Sequence, residues 1–494
     1  MAINPGGNLN SVPSAQQQTL SSNYVDFTST STEGWAQQYL PDLMEKEAEV
    51  FGQRTISGFL EKVGAEEAMT SDRVIWSEQS RLHISLVGTV DLDGNVSSSG
   101  AKGKFTVVSD IDGNIAGDGF AIADHGVRNH DIVLLASAGK VSRCMVVAVD
   151  GADIGLRAYD EDVLTGHSET ASGATLLVIG SEFKKGDNYD GSTSRTSNEP
   201  TFKSFVNKPV IMKDFYSVSG SDTSRIGWVE VTSEEGESGY LWYLKASADT
   251  RARFNDYLEM TMLEAIPGSN STNVDGELGS NYAEADAGTE GLFYAIEDRG
   301  NVTTGVTGVN AATDLAEFDA ILAEFDKQGA IEEYMMFVNR STSLAIDDML
   351  ASMNSYGAGG TSYGVFDNDE DMALNLGFSG FRRGSYDFYK SDFRYLNDKA
   401  TRGGINDAAG SAAIRGVMVP AGTSTVYDQS LGKNMKRPFL HVRYRASQTD
   451  NRKMKTWTTG SVGAATSALD AMEIHMLSER CLITQGANNF MLMK

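Results

Sequence analysis

The stretch from Thr232 to Ile266, TSEEGESGYLWYLKASADTRARFNDYLEMTMLEAI, constrains the fold more than any other part of this chain. Thr232 and Glu235 have the spacing of a capping box, and Glu234, Glu235 and Glu237 put negative charge where a helix N-terminus favours it. Pro267-Gly268 then stops the helix. Leu241, Leu244, Ala248, Leu258, Met262 and Ile266 hold one face, with Lys245, Arg251, Arg253 and Asp256 off it. Gly236 and Gly239 weaken the first turns, so firm helix is expected from about Tyr240. About 34 residues at ~1.5 Å each would span roughly 50 Å, far beyond the ordinary globular helix. One such helix among many short strand-like runs implies a spine against which sheets are laid.

A chain of 494 residues usually holds more than one domain, and 40% apolar residues with 21 Phe suffice for real cores. No run approaches the ~18 uninterrupted apolar residues of a membrane span. The opening MAINPGGNLNSVPSAQQQ has neither a basic nor an apolar region, so a secretory signal is not expected. Cys144 and Cys481 are the only cysteines, which gives no disulfide framework and points to a reducing cytoplasm. The net charge of −26 favours solubility through self-repulsion. It is the opposite of what counterion release from DNA requires, so sequence-specific nucleic-acid binding is not expected.

Residues 1–34 are polar, nearly uncharged and have little to bury, so they need a surface outside their own fold, most simply a neighbouring copy. Residues 35–64 read as helical, with Pro41-Asp42 at a start and Gly64 at an end. Strand-like runs follow at Val74–Trp76 and Leu82–Val90. Between 90 and 180 the runs KFTVV, DIVLLA, CMVVAV, IGLRAY and TLLVIG recur between glycine-rich turns, which implies a small β-barrel or sandwich. Residues 181–224 pair polar sequence with apolar side chains: Arg195, Lys203, Lys208 and Lys213 lie beside Phe202, Phe205, Val210, Ile211 and Phe215. A projecting hairpin that gains its burial from a neighbour accounts for them, with a surface loop as the plainer alternative. Beyond a linker at 267–290, helices over Asp314–Lys327 and Ser343–Met353 alternate with a strand over Ala330–Val338, as in an α/β domain. Leu315, Phe318, Leu322 and Phe325 form the first helix's apolar face, and the acidic run Asp367–Asp371 reads as a solvated loop. AIRGVMVPAG, PFLHVRYRA and MEIHMLSERCLITQG read as three strands returning to the spine.

No catalytic, cofactor or metal site assembles from these residues. The carboxylate pairs Glu297/Asp298 and Asp347/Asp348 are adjacent, so on a helix they diverge by about 100°. The turns Asp91–Asn95 and Asp110–Asn114 have Gly at the fourth place, not the sixth of a calcium loop, and read as Asp-Gly turns. Asp124-His125 and His130-Asp131 lack further ligand spacing, and His83, His441 and His475 read as structural residues of strand-like runs. GNIAGDG at 113–119 lacks dinucleotide-loop spacing, and no nucleophile elbow, P-loop or zinc motif is present.

Five phrases carry a resemblance: YLPDLMEKEAEVFGQRTISGFLEKVGA (39–65), GTEGLFYAIEDRGN (288–301), DKQGAIEEYMMFVNRSTSLAIDDML (326–350), YDFYKSDFRYLND (386–398) and SERCLITQGANNFML (478–492). With the order of parts above, the chain resembles the major capsid proteins of tailed bacteriophages, and among them those of crAss-like phages. The resemblance implies an α+β Hong Kong 97-type fold with an inserted small β-barrel or sandwich domain. It implies an N-terminal arm at 1–34, peripheral-domain parts at 35–89, 225–270 (the spine) and 411–494, an insert at 90–180, an E-loop hairpin at 181–224 and an axial domain at 271–410. By the same resemblance the chain is a non-enzymatic structural protein of the virion. It would assemble in the host bacterial cytoplasm into hexamers and pentamers of an icosahedral shell around double-stranded DNA, with portal, scaffold and decoration proteins as partners and no membrane. Arg195, Phe202, Lys203, Phe205, Lys208 and Lys213 would then make inter-subunit contacts. The alternatives are an acidic virion-borne or secreted hydrolase, or an adhesin, with a β-rich accessory module.

Overall fold

The structure, a computed structural model, describes residues 65–494 except 80–81, 97–99, 116–121, 138, 161–163, 165, 168–172, 187–201, 222–229, 233–237, 269–287, 329–330, 355–379, 422, 429–432 and 462–464. The polar arm, the helical reading of 35–64, Arg195 and the acidic run Asp367–Asp371 lie outside the described residues. The chain divides into two compact units, residues 75–205 and the remainder.

Strands β1 (Ala65–Met69) and β2 (Val74–Gln79) come first. The unit 75–205 is built on β3 (Ser85–Asp91), β4 (Lys104–Asp110), β5 (Asp131–Ser137), β6 (Lys140–Asp150), β7 (Asp153–Ala158) and β8 (Ala174–Ser181). They close into a barrel in the order β3-β4-β7-β6-β5-β8, as the short recurring runs imply. Alternation does the work: in β5, Val133 and Leu135 are buried while Ile132, Leu134 and Ala136 face outward. Phe105, Val107, Val133, Leu135, Val146, Ile154, Leu156 and Leu176 fill the inside. A bulge between Val87 and Gly88 bends β3, and a Cβ at Gly88 would lie 2.1 Å from the Thr106 carbonyl oxygen, so only glycine fits this close approach. His83 lies in the bend before β3 rather than in a strand.

Strand β9 (Phe202–Asn207) pairs with β2, and β10 (Val210–Ser219) pairs antiparallel with β22 (Ala471–Thr484). The two apolar runs expected to form one hairpin therefore do not pair with each other. At the corner between them, Asn207 Oδ1 accepts from the adjacent Lys208 amide at 2.7 Å.

A short hairpin, β11 (Glu230–Thr232) with β12 (Ser238–Tyr240), precedes helix α1 (Leu241–Glu264). Thr232 is thus a strand residue and not an N-cap: it pairs with Ser238, and Gly239 lies in β12 opposite Val231. The helix has 24 residues, about 36 Å at ~1.5 Å each. Phe254, Leu258 and Met262 form its buried stripe; Ala248 and Ile266, expected on that face, are exposed.

Next come α2 (Leu292–Arg299), β13 (Asn301–Thr303), α3 (Ala311–Gln328), β14 (Glu333–Val338), α4 (Arg340–Asn354), β15 (Gly380–Arg383), β16 (Tyr386–Asp392), α5 (Arg394–Asn397), α6 (Arg402–Ala409) and β17 (Gly416–Pro420). The hairpin β18 (Thr423–Asp428) and β19 (Lys433–Pro438), then β20 (Leu440–Arg445), β21 (Lys455–Gly460), β22 and β23 (Met491–Met493) complete the chain.

Two sheets organise this larger unit. The first is β1-β20-β22-β10 with β21 also on β22; Phe254 and Leu258 of α1 pack on its Met212 and Met476. The second is a mixed sheet, β13-β23-β17-β14-β16-β15, against which α3 and α4 pack through Phe318, Ile321, Phe325, Ile346 and Met349. Of the three C-terminal runs, only PFLHVRYRA and MEIHMLSERCLITQG join the sheet under the spine. AIRGVMVPAG supplies β17, buried at every position within the second sheet, where its unbroken apolar run is satisfied on both faces.

Candidate functional site

Of the residues expected to make contacts, those of β10 lie on one side of the first sheet, while Phe202, Lys203 and Phe205 belong to β9. In β10 burial alternates, so Ile211, Lys213 and Phe215 face outward while Met212 turns toward α1. The β10–β22 register sets Phe215 opposite His475, and the β21–β22 register sets Trp457 opposite the same residue. The result is a row across three strands: Trp457 and His475 stack with centroids 5.3 Å apart, and Phe215 and His475 at 6.1 Å. Phe215 is 58% exposed and Trp457 37%, with exposed Ile211 further along. His475 Nε2 lies 2.7 Å from Thr459 Oγ1 and 3.3 Å from Glu473 Oε2, which fixes the ring between its neighbours. Cross-strand aromatic rows stabilise a sheet, and an exposed one also offers a sticky surface.

The ends of this surface are pinned. Asn207 is 4% exposed and fully engaged: its Nδ2 donates to the carbonyls of Glu290 (3.1 Å) and Leu482 (2.5 Å), and its Oδ1 accepts from the amides of Lys208 (2.7 Å) and Glu290 (2.9 Å) and from the Thr289 hydroxyl (3.0 Å). Glu290 in turn pairs with Arg299 of α2. On the α1 side, Arg253 reaches Asp214 of β10 at 3.5 Å. Burial lowers the pKa of Arg480, opposed by Glu66 and Glu259, and its guanidinium donates to Ser478 Oγ and to the Lys453 carbonyl, each at 2.9 Å. Burial also pushes the Cys481 thiol up to about 12.

Of the six residues singled out by sequence, Lys208 and Lys213 flank this surface, Lys208 at the pinned corner and Lys213 facing outward from β10. Phe202, Lys203 and Phe205 belong to β9, where the Phe205 ring lies 6.0 Å from that of Trp76. Arg195 lies outside the described residues. Sequence reasoning did not single out Asn207, Trp457 or His475 as parts of one surface. The alternation of VIMKDFYSVS exposed one face of β10, but no local signal names the strands beside it.

The candidate chemistry disperses. Asp347 pairs with buried Lys390, which also donates to the Ser343 carbonyl at 3.1 Å, while Asp348 lines a shallow cleft with Thr307, Ser341 and Arg415. Glu297 pairs with Lys494 at 2.6 Å and Asp298 with Arg299 at 3.7 Å, so neither adjacent pair converges on one point. In the barrel, Asp110 is engaged by Asn114, whose backbone amide and Nδ2 donate to its two oxygens at 2.8 and 2.7 Å, closing a turn with Gly113 at φ 88°. Asp131 accepts from the Arg128 amide at 2.9 Å and His125 from the Val127 amide at 3.0 Å; burial holds the His125 pKa down. Among the described residues no three His, Cys, Asp or Glu side chains gather as a metal site, and no helix is long and apolar enough to cross a membrane.

No known family model matches this chain, and no curated protein matches it in sequence. Among solved structures it is similar to one from Microbacterium phage Oxtober96, at 7% identity and a TM-score of 0.38, covering 92% of this chain and 95% of that one. It is also similar to the asymmetric unit of the bacteriophage PhiM1 mature capsid, at 10% identity and a TM-score of 0.33, over 63% of this chain and 78% of that one. A third similarity is to the capsid structure of the cyanophage P-SCSP1u, at 8% identity and a TM-score of 0.31, over 63% of this chain and 80% of that one. None is close enough to carry a function across.

Proposed function

We propose that this chain is the major capsid protein of a tailed bacteriophage, with a Hong Kong 97-type architecture and crAss-like phages as its source. The observation that supports this reading most is the order of parts along the chain. A strand ladder β2–β9 brackets a barrel, β10 and α1 build one sheet-and-helix layer, a separate mixed sheet with α3 and α4 follows, and β20–β22 return to the first layer. In that arrangement the β2–β9 ladder corresponds to the E-loop with the barrel inserted in it, the first sheet with α1 to the peripheral domain, and the mixed sheet to the axial domain.

Copies associate into hexamers and pentamers, with Phe215, Ile211 and Lys213, together with Phe202, Lys203, Phe205, Lys208 and Arg195, at contacts between subunits. Each contact is small, and repetition around the shell supplies the avidity. The net charge of −26 suits a shell whose packaged double-stranded DNA must not adhere to it. Portal, scaffold and decoration proteins complete the head, which is built in the bacterial cytoplasm.

Electron microscopy of the purified chain, alone and co-expressed with its neighbouring head genes, tests the proposal. Capsomers or closed shells are expected; a chain that stays single under both conditions overturns it.

A further inference from the structure

The barrel's outer wall is divided by chemistry. On one side, Lys104 and Asp153 pair at 3.6 Å, Asp153 also accepts from the Thr106 hydroxyl at 2.6 Å, and Arg157 is exposed, as expected for a wall in water. On the other side, β5 lies between β8 and β6, and its outward residues face mostly apolar partners across the ladders, the polar ones being Arg143 opposite Leu134 and Thr175 opposite Ala136. Leu134 is opposite Leu177, and Ala136 is opposite Val141. Ile132, Val141 and Ile179 extend the surface, with Val141 63% and Ile179 51% exposed. Along the outward positions of 132–136, 141–145 and 175–179, Arg143 is the one charged side chain. A sheet apolar on both faces is the pattern of a covered sheet, whereas a free wall alternates with polar residues.

We propose that this wall is an interface between copies of the chain, packing against the same wall of a neighbouring copy. Charge favours a copy as the occupant. Two chains of net −26 repel wherever their carboxylates face each other, and a nearly uncharged wall is where they approach at least cost. Size favours a copy as well. Three strands ~4.8 Å apart and roughly 20 Å long give a footprint of about 300 Å² per copy. A stable free complex needs about 800 Å² per partner, so a diffusing protein would not stay bound to this wall alone. A neighbour held beside it by other contacts faces it at high effective concentration, and there a small apolar contact suffices. The inference therefore rests on the shell reading.

The test is made on the full chain carrying Val141→Cys, treated with a bis-maleimide long enough to span the wall. Cys144 and Cys481 are buried and stay silent. Assembled particles are expected to yield a covalent dimer in denaturing gels, and the dilute unassembled chain to yield none. Adding Ile179→Glu is expected to cut the dimer at least tenfold without altering the circular dichroism of the unassembled chain. Particles that form but do not cross-link, or whose cross-link is indifferent to Ile179→Glu, overturn the wall contact and leave the shell reading standing. A wild-type chain that forms no particle overturns the shell reading, and the wall contact with it.

Discussion

Asn207 Oδ1 accepts a hydrogen bond from the backbone amide of Glu290 at 2.9 Å, joining the corner between β9 and β10 to the residues that lead into α2. The same side chain holds the Leu482 carbonyl of β22, so one buried amide ties together three segments distant in sequence. Substitution Asn207→Ala removes all five of its hydrogen bonds at once. A loss of about 2–4 kcal/mol is expected, since buried backbone groups left unpaired cost about 1–3 kcal/mol each and some will find water. Urea unfolding of the unassembled chain measures it, and an unchanged midpoint would contradict the role given to this corner.

Lys390 and Asp347 form an ion pair in which both side chains are largely buried. Lys390→Met leaves a carboxylate without its cation and is expected to cost about 3–5 kcal/mol. The double change Lys390→Met with Asp347→Leu is expected to recover most of that loss, because neither charge is then stranded. Comparing the thermal midpoints of the two variants decides the matter: equal destabilisation would mean that the pair does not couple.

Gly88 sits at the bulge of β3, where a Cβ would strike the Thr106 carbonyl oxygen and the Phe105 ring. Gly88→Ala is expected to open the β3–β4 ladder. Hydrogen exchange should accelerate in 85–110 while the amides of 471–484 keep their protection. Uniform acceleration throughout the chain would show instead that barrel and remainder unfold as one.

The buried thiol of Cys481 gives the chain an alkaline limit. Its pKa rises from 9.0 to about 12 in the folded state, so the fold favours the neutral thiol. The unfolded chain ionises first; stability is complete below about pH 9 and declines as pH rises from there toward 12. Cys481→Ala is expected to flatten that decline, read as a shallower fall of melting temperature between pH 9 and 11. Parallel curves for the two proteins would count against it.

The exposed row of Phe215 and Ile211 separates folding from assembly. Changing both to Ser is expected to cost less than about 1 kcal/mol in the unassembled chain, as surface substitutions do. Particle yield under assembly conditions should nevertheless fall sharply. Normal yield would remove this face from the list of contacts.

Much of the local structure is legible in the residues alone. The apolar period of α3, the strand-like runs of the barrel and the breaker at Pro267 are read within a few positions, because periodicity and backbone preference are local properties. The start of α1 near Tyr240 follows from the two glycines, whereas the capping box at Thr232 competes with a hairpin and loses. What lies beyond reach is partnership. The runs VIMKDFYSVS and MEIHMLSERC show no sign of pairing with each other across most of the chain, and AIRGVMVPAG carries no mark of which sheet it enters. An apolar strand specifies that it will be covered, not by what, and loop closure over long separations is decided by the packing of the whole. For the same reason the stacked row of Trp457, His475 and Phe215 exists only in the folded chain: each residue is ordinary in its own segment, and the register of three strands makes them a surface.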